Sequence, residues 1–314
     1  MRKLLLIVCC TLMCVTLVTA QATRNANGMV PSGKGFGVPA PSDAVGDTVT
    51  QGNGINYHNG PVLSGNPINV YIIWYGNWVN GKRSSDSQTT VNLIDALFGA
   101  GGMGNSPYFT INTTYGDTTS NVSGNIQLAN SYTDSYSKGT RLSDNSVKTV
   151  VSNAISGGHL ANDATGIYFV LTSSDVSENS GFCSVYCGWH THATISGSDI
   201  KYAFVGNPDR CSSACEAQTI SPNSDSGADG MASIMAHEAE EAATDPDLNA
   251  WYDSSGAENG DKCAWKWGLL LGGTVGNAGY NEVIGGHNWL IQMDWENSRG
   301  GGCDNYLGGT FYTK

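Results

Sequence analysis

The stretch Ile68-Asn69-Val70-Tyr71-Ile72-Ile73-Trp74-Tyr75 carries the strongest structural pattern in the sequence. β-branched and aromatic residues fill it almost without interruption, and Gly76 follows it directly. This composition is typical of a strand that is buried inside a sheet. We therefore predict a strand over residues 68–75 that ends at the glycine.

Apolar spacing downstream of this strand predicts three helices. Residues 89–98 repeat apolar side chains at the three- and four-residue intervals of a helix. Ser143 or Asp144 is placed to cap a second helix that ends at Gly157-Gly158, and a third covers about 229–244 before Pro246. Short apolar runs predict strands at residues 126–132, 166–171 and 201–205. Because no repeat or clear linker interrupts the pattern, we predict a single α+β domain with a mixed sheet.

The N-terminus has the composition of a signal peptide. Arg2 and Lys3 precede an apolar run over 4–18, and small residues follow at 18–20. A membrane anchor is the alternative, but a bilayer span needs about 20 apolar residues. We predict a signal peptide over 1–20, a flexible Gly-, Pro- and Ser-rich leader over 21–56 and one domain over 57–314. No later run is long enough to span a membrane, so we expect no membrane partner after cleavage.

The cysteine content predicts a disulfide framework. The chain has nine cysteines, and three of them lie in the predicted signal peptide. The remaining even set is typical of a secreted, disulfide-bonded protein, although six cysteines allow 15 connectivities. A zinc site built from two C-x-x-x-C pairs is the alternative. The disulfide candidates are Cys183, Cys187, Cys211, Cys215, Cys263 and Cys303.

The charge of the chain excludes some classes of partner. There are 15 basic and 27 acidic residues, which give a formal charge of −12. Loss of Arg2 and Lys3 with the signal peptide makes the mature protein more acidic still. Nucleic acids and anionic membranes bind basic surfaces, so neither is an expected partner.

The segment His237-Glu238-Ala239-Glu240-Glu241 is the candidate for chemistry. With the period of a helix, His237, Glu238 and Glu241 fall on one arc beside the apolar stripe, whereas Glu240 is predicted to face solvent. Residues four apart on a helix can bind one ion, and a glutamate beside the first ligand can act as general base on water. We therefore predict that His237 and Glu241 bind zinc and that Glu238 is the catalytic residue of a zincin-like active-site helix. A carboxylate in place of the second histidine also admits manganese or calcium.

A third ligand has to come from another segment. Glu258 is the first candidate because it follows a turn that can bring the chain back across the helix, and Asp261 is the next. Asp247, His190 and His192 are further candidates. The competing interpretation needs no metal: the helix presents a solvated acidic face with a His–Glu pair four residues apart.

Aromatic residues suggest a further activity, carbohydrate binding. Trp74, Tyr75 and Trp78 lie in or beside the predicted strand and are expected in the core. The aromatic residues that flank the predicted metal site are candidates for a substrate wall. They are Trp251, Tyr252, Trp265 and Trp267.

Several motifs resemble a known family. Residues 57–63 (YHNGPVL), 72–78 (IIWYGNW) and 181–190 (GFCSVYCGWH) are similar, in the same order, to segments of the plant phosphate-induced, or exordium-like, proteins. The resemblance implies a secreted, apoplastic or cell-wall protein linked to growth, phosphate starvation and brassinosteroid response, with no established biochemical activity. The His-Glu-x-x-Glu segment departs from many plant members and indicates a retained metal site.

Two functions follow from these observations. The first is a secreted zinc-dependent hydrolase of the zincin type, acting on a peptide or cell-wall substrate. The alternative is a non-catalytic extracellular cell-wall or growth-signalling protein in which the same residues hold a structural metal or form a vestigial site.

Overall fold

The computed structural model describes residues 30–32, 54–272 and 277–311. The predicted signal peptide and most of the predicted leader lie outside these ranges. The strands are β1 (Val30–Ser32), β2 (Asn56–Tyr57), β3 (Ile68–Tyr75), β4 (Ile126–Asp134), β5 (Arg141–Leu142), β6 (Ile167–Thr172), β7 (Ser177–Glu178), β8 (Tyr186–Ile195), β9 (Ser198–Val205), β10 (Trp251–Tyr252), β11 (Leu271–Gly272), β12 (Gly279–Tyr280), β13 (Glu282–Ile284), β14 (His287–Trp289), β15 (Asp294–Glu296) and β16 (Gly302–Asp304).

The helices are α1 (Gln88–Phe98), α2 (Asp144–Ser156), α3 (Ser212–Cys215), α4 (Ser226–Thr244) and α5 (Asn259–Lys262), with 3₁₀ turns at Phe109–Thr114 and Pro208–Arg210. Within the described ranges, none of these helices combines the length and the apolar character that a bilayer crossing requires.

One six-stranded sheet organises the molecule, in the order β1-β8-β9-β6-β3-β4. Strand β3 lies between β4 and β6 and runs parallel to both. Strand β6 is parallel to β9, whereas β8 and β9 form an antiparallel hairpin with β1 parallel to β8 at the edge. The predicted mixed sheet in a single domain is therefore confirmed, but strand β8 was not predicted.

The quoted stretch forms β3 over the predicted residues. Ile72 and Ile73 point to opposite faces of the sheet, and both are fully buried. A strand that is covered on both faces has no solvent side, so it lacks the alternation of polar and apolar residues. Trp74, Tyr75 and Trp78 are buried as expected.

The predicted helices form with modest shifts at their first residues. Ser87 caps α1 by accepting from the Thr90 amide, and Ser143 caps α2 in the same way. Helix α4 begins at Ser226, three residues before the predicted start, because Asp225 accepts from the Ala228 amide. The sequence did not indicate this start because Gly227 and Gly230, in the first turns, have low helix propensity.

Three disulfides join the six predicted cysteines. They are Cys183–Cys211, Cys187–Cys215 and Cys263–Cys303. The two C-x-x-x-C segments are bonded to each other, so the alternative of a zinc site at these thiols is wrong. The first two bridges tie the start of β8 to the chain just before α4. This helps to hold β8 and α4 together.

Candidate functional site

Helix α4 is buried along its length rather than solvated. Its residues from Gly227 to Thr244 are all buried. The side chains of His237, Glu238 and Glu241 are at most 1% exposed. The interpretation of this segment as a solvated acidic face is therefore wrong.

Strand β8 packs against α4 and places a histidine, His190, beside the acidic residues of the helix. A Cβ atom at Gly188 would lie 2.6 Å from Ile234 Cγ2 and 3.0 Å from Glu238 Oε1, so the glycine lets the helix lie close to the strand. His190 follows two residues later and points to the same face of the sheet. It is 1% exposed.

The resulting cluster brings two histidines and three carboxylates together. His190 Nδ1 lies 3.5 Å from Glu238 Oε2 and 3.4 Å from Glu241 Oε2. His237 Nε2 lies 2.8 Å from Glu241 Oε1 and 3.7 Å from Asp261 Oδ1. Glu241 therefore faces one histidine with each of its oxygens.

The segment around α5 closes the cluster. Glu258 caps this short helix and places Oε1 3.8 Å from His190 Nε2. The Asp261 amide donates to Glu241 Oε1 at 3.1 Å. Gly260 packs against His237, since a Cβ there would come within 2.8 Å of Nδ1. The downstream acidic segment thus returns across α4, as the sequence predicted for a third ligand.

Burial and mutual contact shift the pKa values of these groups. Burial disfavours the charged imidazolium, yet Glu238 and Glu241 raise the pKa of His190 to about 10. Burial also disfavours carboxylates, but His237 and His190 lower the pKa of Glu241 to about 2. Burial raises the pKa of Glu238 to about 7. Burial, with Glu241 and Asp245 nearby, raises the pKa of Glu258 well above its usual range.

Glu240 is not solvated, which corrects the prediction from the helical wheel. It is 1% exposed. Burial and the neighbouring Asp294 raise its pKa well above the ordinary value. The wheel gives the direction of a side chain but not what covers it. Here the 3₁₀ turn at Phe109–Thr114 packs on α4, and β15 packs on that turn and on α5.

Two of the candidate ligands lie in a separate cluster. His192 Nδ1 is 2.9 Å from Asp199 and 3.8 Å from Asp247. Lys201 Nζ lies 3.2 Å from Asp247 and supplies a positive charge there. The structure therefore brings His190, Glu258 and Asp261 to the α4 residues, but not His192 or Asp247.

The predicted aromatic wall does not form one surface. Tyr252 stacks on His58 with ring centroids 3.6 Å apart, and the Trp251 indole donates to the Gly116 carbonyl. Trp265 and Trp267 instead line a small cleft that faces Ser226 to Ile234, the N-terminal half of α4. The four aromatic residues thus divide between two places.

His190 is a lower-ranked ligand candidate than Glu258 in the sequence, although in the structure it lies between Glu238, Glu241 and Glu258. A signal was available in the alternation of Gly188, His190 and His192. On a strand these residues share one face, so a glycine that admits a helix would be followed by a histidine against it. Recognising it required strand β8 itself.

Comparisons with known proteins place the chain among plant relatives. The sequence profile described as "Phosphate-induced protein 1 conserved region" matches residues 55–289. Protein EXORDIUM-like 5 of Arabidopsis thaliana is 32% identical over 279 residues, which cover 77% of this chain and 75% of the relative. Protein EXORDIUM-like 3 of the same plant is 31% identical, covering 77% and 80%.

Protein PHOSPHATE-INDUCED 1 of Nicotiana tabacum is 30% identical, covering 63% of this chain and 67% of the relative. No solved structure matches the chain. The three disulfides are consistent with the predicted secretion, since such bonds persist in oxidising compartments.

Proposed function

Because the chain belongs to the phosphate-induced protein 1 family, we propose that it is a non-catalytic extracellular protein with a structural metal ion. The ion, zinc in the first instance, is held by His190, Glu238 and Glu241. It fixes β8 to α4 beneath the α5 segment, in a protein of the cell wall or of growth signalling.

The observation that carries this proposal is the buried excess of carboxylates. Within the described residues, the ion pairs of Glu241, Glu258 and Asp261 involve only the two histidines. A buried carboxylate without enough positive charge costs several kcal/mol. A divalent cation offsets that cost and explains why a secreted protein keeps so many acids in its interior.

The spacing of the donor atoms fits zinc. Tetrahedral ligands about 2.0–2.1 Å from one ion are roughly 3.3 Å apart. His190 Nδ1 lies 3.4 Å and 3.5 Å from the nearest oxygens of Glu241 and Glu238, close to this value. The three ligand atoms all lie within 4.8 Å of one another.

The remaining members of the cluster fit supporting roles. His237 and the Asp261 amide both contact Oε1 of Glu241, which leaves Oε2 for the ion. Glu258 faces Nε2 of His190 at 3.8 Å, which is longer than a hydrogen bond, so it would orient the ring by moving closer when the ion binds. Histidine ligands commonly donate their second ring N–H to a carboxylate, which fixes the tautomer.

Burial supports a structural role over a catalytic one. Structural zinc sites are closed, whereas catalytic sites keep a position open to water and substrate. The side chains of His190, His237, Glu238, Glu241 and Glu258 are each at most 1% exposed.

Element analysis tests the proposal directly. Protein purified without chelator is expected to contain about one zinc ion per chain. Glu238→Gln should lose most of the metal, because this proposal makes Glu238 a ligand. Glu240→Gln is the matched control on the same helix and should retain it. Metal-free wild-type protein, or a fully loaded Glu238→Gln variant, would contradict the proposal.

The second candidate function is the zinc hydrolase, favoured by the group His237, Glu241 and Asp261. Their ligand atoms also lie within 4.8 Å of one another. Here Glu238 is the general base beside the ion. Glu238→Gln would then keep its metal and lose activity on a peptide library. The same variant therefore separates the two functions.

A further inference from the structure

A second site lies at the carboxyl ends of β3 and β4, where a cleft of about 430 Å³ opens. The cleft is lined by Trp74 and by the loop that follows β3, including Trp78 and Val79. These residues belong to or adjoin the family-like stretch 72–78, to which the metal proposal gives no role. None of the metal-cluster residues lines the cleft.

The position of the cleft matches a general rule of α/β architecture. Strands β3 and β4 are parallel, and α1 connects them. Ligands of such sheets bind in the crevice beyond the carboxyl ends of the strands. Gln88 and Val91 from the first turn of α1 form part of the lining. The volume lies within the ordinary range for small-ligand sites.

Aromatic side chains are part of the lining of the cleft. The Trp74 and Trp78 rings meet edge to face with centroids 4.8 Å apart, and Tyr136 lies on another side. The indole N–H of Trp74 has no acceptor within the described part of the chain. Val79 projects beside them and is 68% exposed. Trp74 and Trp78 are only 3% and 4% exposed and form the floor of the cleft, so Val79 and the half-buried Tyr136 supply the apolar surface that solvent reaches.

The polar groups of the cleft are all uncharged. Gln88, Thr133 and Ser135 are exposed there, and no lysine, arginine, aspartate or glutamate is among the lining residues. The hydroxyls of Thr133 and Ser135 have no partner among the residues that the structure describes. Amides and hydroxyls can both donate and accept, which suits a ligand rich in hydroxyl groups.

Hydrogen bonds hold the loop after β3, which includes Trp78 and Val79, in one conformation. Gly76 has φ +111°, and a Cβ there would lie 2.0 Å from Ser173 Oγ. Asn77 Oδ1 accepts from the Asn80 amide at 3.0 Å, and the Trp78 indole donates to the Tyr75 carbonyl at 3.2 Å. A preorganised aromatic surface loses little entropy when it binds a ligand.

We propose that this cleft binds a neutral oligosaccharide built of pyranose rings. The apolar ring faces would pack on Tyr136 and Val79 above the buried indoles, and the hydroxyl groups would bond to Gln88, Thr133 and Ser135. The net charge of −12 disfavours a polyanionic glycan such as an oligogalacturonide. This site is independent of the metal cluster and of its proposed role.

The test follows the indole N–H resonances of the protein by NMR during titration. The probes are the neutral hexasaccharides of cellulose, xylan and mannan, with hexagalacturonate and a proline-rich peptide as comparisons. At least one neutral glycan should shift the indole signals assigned to Trp74 and Trp78. Thr133→Trp should fill the cleft and lower the affinity for that glycan about tenfold or more. This corresponds to a loss of at least about 1.4 kcal/mol of binding free energy.

Thr89→Trp is the matched control, because Thr89 is exposed on α1 and does not line the cleft. Its affinity should stay within about twofold of wild type. The proposal is overturned if no neutral glycan shifts these signals, or if hexagalacturonate or the peptide binds better. An equal loss of glycan affinity in Thr133→Trp and Thr89→Trp would also overturn it.

Discussion

At the scale of single residues, Glu258 tests whether the groups around the proposed ligands matter. Its Oε1 lies 3.8 Å from His190 Nε2 in a fully buried setting. Glu258→Gln should weaken zinc binding about 10–100-fold, since partners of this kind orient ligand histidines. Competition with a fluorescent zinc chelator measures the affinity. Glu216→Gln, whose neighbours Asp209, Asp225 and Ser226 lie outside the cluster, should leave it unchanged, and an equal effect of both changes would refute the assignment.

Glu216 itself carries a pH-dependent prediction. Burial, with Asp209 nearby, raises its pKa to about 7 from an ordinary 4.5. The folded state then holds this proton more tightly than the unfolded state does, so stability falls as the pH rises between these values. Glu216→Gln removes that loss. It should stabilise the protein at pH 8 by roughly 1–2 kcal/mol, after allowance for solvent screening.

Thermal unfolding of wild type and Glu216→Gln at pH 4 and pH 8 measures this difference. The variant should gain its advantage only at pH 8, because both proteins carry a neutral side chain at pH 4. The same gain at both pH values would show that the effect is packing rather than proton linkage.

The α4 residues show what the sequence can predict about a site and what it cannot. The helical period correctly grouped His237, Glu238 and Glu241, because their relative directions are set by the helix alone. It failed for Glu240, since exposure depends on which later segment packs there. Tyr108 lies against Glu240. Because it is more than 130 residues upstream, the sequence does not indicate this contact.

At the scale of elements, the contact between β8 and α4 depends on Gly188. Gly188→Ala would place a methyl group 2.6 Å from Ile234 Cγ2 and 2.9 Å from the Phe204 carbonyl oxygen. Such overpacking typically costs about 1–3 kcal/mol. We expect a lower Tm and weaker zinc binding, because the helix that carries Glu238 and Glu241 is pushed away from His190.

The matched control is Gly54→Ala, where an added Cβ would meet nothing within 4 Å. Chemical unfolding and zinc competition should leave this variant close to wild type. If Gly188→Ala were equally benign, the close approach of β8 and α4 would not be a requirement of the site.

Strand β8 also marks the limit of prediction at this scale. Strand β3 is recognisable from the sequence because a nearly continuous apolar run of eight residues is typical of a buried strand. Residues 186–195 instead mix glycine, two histidines and threonines around Cys187, and the sequence predicts no element there. Pairing of residues 188–195 with β9 forms most of this strand, and local propensity does not reveal such pairing.

At the scale of the whole molecule, composition predicted the class and the cross-linking, but not the arrangement. An even cysteine set in a secreted chain indicated disulfides, whereas the pairing depends on β8 lying beside the chain before α4. The C-terminal strands are two or three residues long, too short for a period to show. Yet β14 packs on α4, and β15 packs on α5, the segment that closes the candidate site.

The cluster joins parts of the chain that are far apart in sequence, so metal binding should be linked to global stability. His190 lies on β8, Glu241 on α4 and Glu258 at α5. An ion that binds only the folded arrangement stabilises it by about 3–4 kcal/mol at 100 to 1,000 times its Kd. Removal of zinc by a chelator should therefore lower the Tm of wild type by roughly 5–15 °C. His190→Ala should start at a lower Tm and hardly respond to the chelator, since it has already lost a ligand. An equal drop in Tm in both proteins would show that the chelator acts at another site. No drop in the Tm of wild type would show that the ion has no structural role.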